Sequence, residues 1–228
     1  MKLILTCEHA SNSLPSRYIS LFETHQTRLK THEGYDIGAF QVYNSLQNLA
    51  DYSFHYPWSR LLIEVNRSLH HPNLFSSISK KLDKAEKNRL IVDYYQAYRN
   101  QIQQKIEEAI NRGEAILHLS IHSFTPILNG NIRKTELGIL YDPKRKLEKD
   151  WADCFKKELS LQFHQFRIRM NYPYLGKADG FTTSLRRRFP NQYVGIELEI
   201  NQKLVENQDD FEEFKSKLRG CLATVLEK

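Results

Sequence analysis

Apolar residues recur along this chain with two periods. A period of two marks Tyr193 to Ile200, where Val194, Ile196, Leu198 and Ile200 face one way and Gly195, Glu197 and Glu199 the other. Ala115 to Ile121 repeats the pattern, with Leu117, Leu119 and Ile121 set against His118, Ser120 and, one step beyond, His122. Short apolar runs at Lys2 to Thr6, Leu61 to Val65 and Leu137 to Tyr141 predict further buried strands, and Phe163 to Met170 a weaker one. Steps of three and four mark helices. One starts near Asp36 and carries Ala39, Phe40, Tyr43 and Leu46. The next spans Lys80 to Arg112 and stops at Gly113. Another covers Leu147 to Leu161, and the last begins at Asp209 or Asp210 and buries Phe211, Phe214, Leu218 and Val225. Asn171 to Thr183, punctuated by Gly and Pro, predicts a loop long and polar enough to wall a binding site.

The order β-α-β-α-β-β-α-β-loop-β-α predicts an α/β chain with a mixed, largely parallel sheet between helical layers, as one domain over residues 1–228. In such sheets ligands gather beyond the carboxyl ends of the strands. Four of the predicted strands end in groups that carry chemistry: Glu8 and His9, Asn66 and Arg67, His122 and Ser123, and Glu197 with Glu199. Two imidazoles and a carboxylate on one rim can hold zinc with a position open for water, and a further carboxylate can act as base. Arginines there can grip a carboxylate or an oxyanion. Each group also has a plainer reading. Asp36 suits a helix N-cap, Glu197 and Glu199 suit a solvent-facing edge strand, and the arginines suit surface ion pairs.

Composition narrows the classes. The 228 residues, 40% of them hydrophobic, are enough for a sizeable core. No run approaches the roughly 20 apolar residues of a membrane span, and the apolar stretch after Met1 is too short for a signal peptide. The three cysteines Cys7, Cys154 and Cys221 are odd in number and far apart, so reduced thiols and a cytoplasmic location are expected. The net charge of +6 comes from small separate groups such as Lys144-Arg145-Lys146 and Arg186-Arg187-Arg188, with no nucleic-acid-binding signature. No nucleic-acid or membrane partner is expected.

The chain resembles the N-formylglutamate amidohydrolase family, which is similar to zinc carboxypeptidases and aspartoacylase. The resemblance runs from Cys7 to Gln202 through Glu8-His9-Ala10-Ser11-Asn12, Asp36, Ser59-Arg60 to Asn66-Arg67, Ile121-His122-Ser123, Asp179-Gly180-Phe181-Thr182 and Glu197-Leu198-Glu199-Ile200. It implies a three-layer αβα sandwich of the zinc-carboxypeptidase kind, one bound zinc (Zn2+), and hydrolysis of the amide bond of a small acidic N-acyl amino acid such as N-formyl-L-glutamate. It gives His9 and His122 as metal ligands. The Glu that follows the first His by three in the carboxypeptidases is Asn12 here; the resemblance implies Asp36, which matches an acidic position of the N-formylglutamate family, as the third ligand, with Glu8 the alternative. It further implies Glu199 as general base, Arg60 at the oxyanion, and Asn66, Arg67, Ser123 and Glu197 around the substrate. Glu197 stands where the histidine-degrading members have an uncharged polar residue. A carboxypeptidase-like hydrolase of peptide ends and a metal-free binding protein on the same fold are the competing expectations.

Overall fold

The computed structural model describes residues 1–228. Eight strands run in chain order: β1 (Lys2–Cys7), β2 (Tyr52–His55), β3 (Ile116–Phe124), β4 (Ile127–Leu128), β5 (Asn131–Ile132), β6 (Leu137–Leu140), β7 (Ile168–Met170) and β8 (Tyr193–Asn201). β4 and β5 form a small separate hairpin, and the other six make one sheet in the order β2-β1-β3-β8-β6-β7. All neighbours are parallel except β6 and β8. The helices are α1 (Gln26–Leu29), α2 (Ala39–Leu46), α3 (Lys84–Leu90), α4 (Ala97–Asn111), α5 (Lys146–Gln162), α6 (Phe181–Arg188) and α7 (Gln208–Leu226). They lie in two layers, one on each face of the sheet.

The alternation along the strands decides what each layer covers. Leu3 and Leu5 of β1, Leu117, Leu119 and Ile121 of β3, and Val194, Ile196, Leu198 and Ile200 of β8 turn to the same side. There they pack on Val42 and Leu46 of α2, Phe155 and Leu159 of α5, and Phe211, Phe214 and Leu218 of α7. Fully burying one such side chain is worth about 1.5–3 kcal/mol. The opposite face is apolar only in part. Ile4, Ile116 and Tyr193 join Ile102 and Ile106 of α4 and Phe181 and Leu185 of α6, and the remaining central positions are His118, Ser120, His122, Gly195, Glu197 and Glu199. The functional groups thus share one face of two adjacent strands. Register fixes who meets whom: Ser120 lies beside Glu197, and His122 beside Glu199.

Three expected elements differ. Leu61 to Val65 is not a strand but a buried loop. Leu61, Leu62, Ile63 and Val65 are in the core, and turns and side chains take the place of a ladder. Leu62 N–H donates to Ser59 O at 3.0 Å and Glu64 N–H to Leu74 O at 2.9 Å, while Arg99 Nη1 donates to Val65 O at 3.0 Å. A short apolar run bounded by polar residues cannot distinguish these cases. The neighbouring edge strand is instead Tyr52–His55, half-buried and only four residues long. The weak strand at Phe163 to Met170 is reduced to Ile168–Met170. Asn171 to Gly180 is a loop, but from Phe181 the chain forms α6. The Arg triplet ends that helix. Arg186 is buried, with Nε 2.9 Å from Glu148 Oε1, Nη2 2.7 Å from Gly195 O, and Nη1 on Gly176 O.

Asp36 is not the N-cap of α2, since Gly38 holds that position at φ 84°. A Cβ at Gly38 would also come 2.4 Å from a Val205 methyl. No helix is long and apolar enough to cross a membrane. The three cysteines are free thiols, Cys7 and Cys221 buried.

His118 sits at the centre of the polar face without exposure. Its Nε2 is 2.7 Å from Thr6 Oγ1 and its Nδ1 2.6 Å from Tyr193 Oη. Burial pushes its pKa down to about 4, against the pull of the Glu8 charge. The unfolded chain protonates this imidazole near 6.5, so its contribution to stability is complete above that pH and is lost as pH falls towards about 4. Denaturant unfolding measured at about pH 7 and about pH 4 should show a loss on the order of 3 kcal/mol attributable to His118. A His118→Gln variant should lose correspondingly less over that interval. An identical pH dependence in the two proteins would rule out a neutral buried imidazole.

Candidate active site

The carboxyl ends of β1 and β3 deliver two imidazoles to one point. His9 follows β1, and His122 lies near the end of β3 on its polar face. Their ring centroids are 5.0 Å apart. Between them is Asp36, carried by the turn before α2 and tied to His9 by its own N–H, which donates to His9 O at 3.0 Å. Asp36 Oδ2 is 3.2 Å from His9 Nδ1 and 3.0 Å from His122 Nδ1, and it accepts the Ser123 N–H at 3.1 Å. Its other oxygen receives Arg60 Nη1 at 3.2 Å.

The far nitrogens of both rings are also engaged. His9 Nε2 is 2.7 Å from Glu64 Oε1. His122 Nε2 is 2.9 Å from Ser120 Oγ and 3.4 Å from Glu8 Oε2, and Ser120 in turn donates to Glu8 at 2.5 Å. Each Nε2 has an acceptor beside it where a neutral imidazole can keep its proton, so both Nδ1 atoms, which now hydrogen-bond Asp36, are available to a metal ion. One donor atom from each of His9, Asp36 and His122 lies within 4.8 Å of the others, and all three residues are buried. This group can hold a metal ion. Glu8 is not part of it, because Glu8 meets the opposite edge of the His122 ring.

Charge is dense and balanced. Burial works against the Asp36 carboxylate, but His9, His122 and Arg60 hold it well below the usual carboxylate range. Glu64 is likewise pulled down, against burial, by Arg60 and His9. Burial opposes the charged form of His122, yet Asp36, Glu8 and Glu199 raise its pKa to about 10. Glu199 behaves differently. Burial, reinforced by the Asp36 and Glu197 charges, raises it to about 8 despite His122. Its Oε2 is buried and has no hydrogen-bond partner.

His9, Asp36, His122 and Glu199 line a cavity of about 140 Å³, together with Arg60, Asn66, Arg67, Ser123, Glu197, Leu140 and the 174–180 loop. Every residue singled out in the sequence except Glu8 therefore reaches one cavity. Several are already occupied within the protein. Ser123 Oγ donates to Ile37 O at 2.8 Å and accepts from Gln202. Asn66 Oδ1 accepts the Phe181 N–H at 2.8 Å, at the start of α6. Arg67 Nη1 donates to Asp179 O, and its own carbonyl is held by Tyr95 Oη at 2.7 Å and Arg99 Nη1 at 3.0 Å. Thr182 donates to Glu197 Oε1. The wall predicted at Asn171 to Thr183 is in place, with Tyr174, Leu175, Ala178, Asp179 and Gly180 facing the cavity. The residue that sequence reasoning missed is Glu64. It bonds both His9 and Arg60, the latter through Nε at 2.7 Å, and the only trace of it was a carboxylate inside an otherwise apolar run.

Comparisons with known proteins agree with this architecture. The structure is similar to a gene product from Agrobacterium tumefaciens, with a TM-score of 0.83 and 26% identity over 99% of this chain and 90% of that one. It is also similar in fold to the N-formylglutamate amidohydrolase from Ralstonia eutropha, with a TM-score of 0.76 and 18% identity over 100% of this chain and 93% of that one. No curated protein matches the sequence. The family model for N-formylglutamate amidohydrolase matches residues 1–206, a span that contains every group lining the cavity, and the chain belongs to that amidohydrolase family.

Proposed function

We propose that this protein hydrolyses the amide bond of a small N-acyl amino acid, an N-formyl amino acid in the first instance, with one zinc ion held by His9, Asp36 and His122. The observation that carries the reading is the convergence of two imidazole Nδ1 atoms and a carboxylate oxygen beside a buried, partnerless Glu199 oxygen. The donor set of two nitrogens and one oxygen, with each ring oriented from behind by Glu64 or Ser120 and Glu8, suits zinc with a position left open. Such an ion, when bound, polarises a carbonyl and lowers the pKa of water.

The chain's own residues supply the rest. Glu199 takes a proton from the attacking water as the new C–O bond forms. It then passes that proton to the leaving nitrogen as the C–N bond breaks, giving the free carboxylic acid and the amine. A carboxylate whose pKa burial has raised suits both halves of this exchange, which is typically worth about 10²–10⁴ in rate. Arg60 keeps N–H donors beyond those given to Asp36 and Glu64, and they stabilise the developing oxyanion. Arg67 holds the substrate carboxylate, with the Asn66 side-chain amide beside it, and Glu197 lines the space taken by the rest of the substrate. Three free thiols fit a reducing, cytoplasmic setting. Family membership supports the amidohydrolase reading over a binding protein or a carboxypeptidase.

Purified protein should contain about one zinc per chain by elemental analysis, and His122→Ala should be folded and metal-free. Undiminished zinc in that variant would remove His122 from the ligand set. Asp36→Asn should lose metal and Glu8→Gln should retain it. The reverse result would exchange their roles.

Glu199→Gln should keep zinc and bind substrate while kcat falls by about 10²–10⁴. Steady-state kinetics on Glu197→Gln supplies the comparison. If that variant is the inactive one and Glu199→Gln turns over normally, Glu197 is the base.

Arg67→Lys should mainly raise KM, because a contact kept equally in ground and transition states is lost from binding, whereas Arg60→Lys should mainly lower kcat. Amidating the substrate carboxylate should weaken the wild type strongly and the Arg67 variant little. Equal losses in both would separate Arg67 from that group.

A further inference from the structure

Resting on the reading above, the charge pattern of the cavity says what kind of amino acid it takes. Two arginines line it. Arg60 is matched twice over, by Asp36 at 3.2 Å and by Glu64 with Nε at 2.7 Å. Its remaining N–H groups can serve a transient oxyanion, but its charge is already spent on two carboxylates. Arg67 donates only to a backbone carbonyl and forms no ion pair, so it is the one unpaired guanidinium in the cavity.

The anionic side is in excess. Glu197 has no ion-pair partner. Its Oε1 accepts only the Thr182 hydroxyl, and its other oxygen makes no hydrogen bond. Asp179, which also lines the cavity, accepts the Ser68 N–H at Oδ2 (3.0 Å) and leaves Oδ1 without a hydrogen bond. The buried Glu199 carboxyl, whose Oε2 lacks any partner, lines the same space and adds no cation to it. A substrate with one carboxylate satisfies Arg67. A second carboxylate would meet no free cation and would lie against Glu197 or Asp179, and like charges brought together in a part-desolvated pocket are strongly unfavourable.

We infer that the substrate carries a single carboxylate together with a cationic group, an ammonium or guanidinium, which Glu197 and Asp179 receive. The cation can belong to the amino acid side chain or to the acyl group. Glu197 is then a specificity-determining residue, and N-formylglutamate is a poor substrate for this member of the family.

The test uses the zinc-loaded protein and four substrates: N-formyl-norleucine, N-formyl-lysine, glycyl-norleucine and N-formylglutamate. N-formyl-lysine adds an ammonium on the amine side and glycyl-norleucine adds one on the acyl side. One of these two should exceed N-formyl-norleucine in kcat/KM by about tenfold or more, and N-formylglutamate should fall below it. In Glu197→Gln the ratio of cationic to neutral substrate should drop towards one, a readout that a general loss of activity does not move. A wild-type preference for N-formylglutamate over N-formyl-norleucine, or an unchanged ratio in the variant, would overturn the inference and leave the amidohydrolase reading standing. If none of the four is cleaved, that reading fails instead, and calorimetric titration with the same four compounds still decides the charge preference. N-formylglutamate binding as tightly as both cationic compounds, or neither cationic compound binding, would overturn it.

Discussion

The structure depends on a buried anion that has to be neutralised. Asp36 is 4% exposed, and an isolated carboxylate at that depth would cost several kcal/mol. Four groups from three separate segments answer it: His9 after β1, His122 and the Ser123 amide near the end of β3, and Arg60 from the loop that follows β2. Removing any one leaves the others facing an uncompensated charge. The network therefore couples chain segments far apart in sequence, and it places both imidazoles with an accuracy that apolar packing alone would not provide.

The second determinant is strand register. β3 and β8 are adjacent and parallel, so a single alignment sets Ser120 against Glu197 and His122 against Glu199. A slip of one residue in either strand would send its pair, Ser120 and His122 or Glu197 and Glu199, to the apolar layer against α2, α5 and α7. The apolar residues on the other side of these strands make that slip prohibitive. The hydrophobic core thus does more than stabilise the fold, since it is what aligns Glu199 with His122.

Much of this was legible beforehand because β3 and β8 carry an unbroken alternation, and because polar residues at the ends of buried strands have few reasons to be there. The segment from Leu61 to Val65 was misread for the opposite reason. Its residues are as apolar as a strand's, and what makes it a loop is supplied from outside by Ser59, Leu74, Ser79 and Arg99. No local pattern records such partners. Helix α6 did leave a trace, Phe181, Leu185 and Phe189 at four-residue steps, but the run of arginines hid it. The role of Arg186 depends on Glu148, thirty-eight positions away, and lies beyond any sequence window. Glu64 was overlooked on the same grounds, since its importance comes from His9 and not from its neighbours in the chain.

Gly138 bears on how freely such a pocket could be reshaped. It pairs with Glu199 across the antiparallel β6 and β8. A Cβ there would fall 1.8 Å from the Tyr172 carbonyl oxygen and 3.2 Å from the Glu199 Cβ. The bare backbone at this point lets the wall loop lie directly over the strand that carries Glu199. Any side chain at position 138 would lift Tyr172 and, with it, the segment running to Tyr174 at the cavity. An engineer seeking new substrates can alter the mouth at Tyr174, Leu175 or Ala178, where the side chains merely border the cavity. Behind Glu199 there is no such latitude, and diversity in this scaffold has to come from the rim inward.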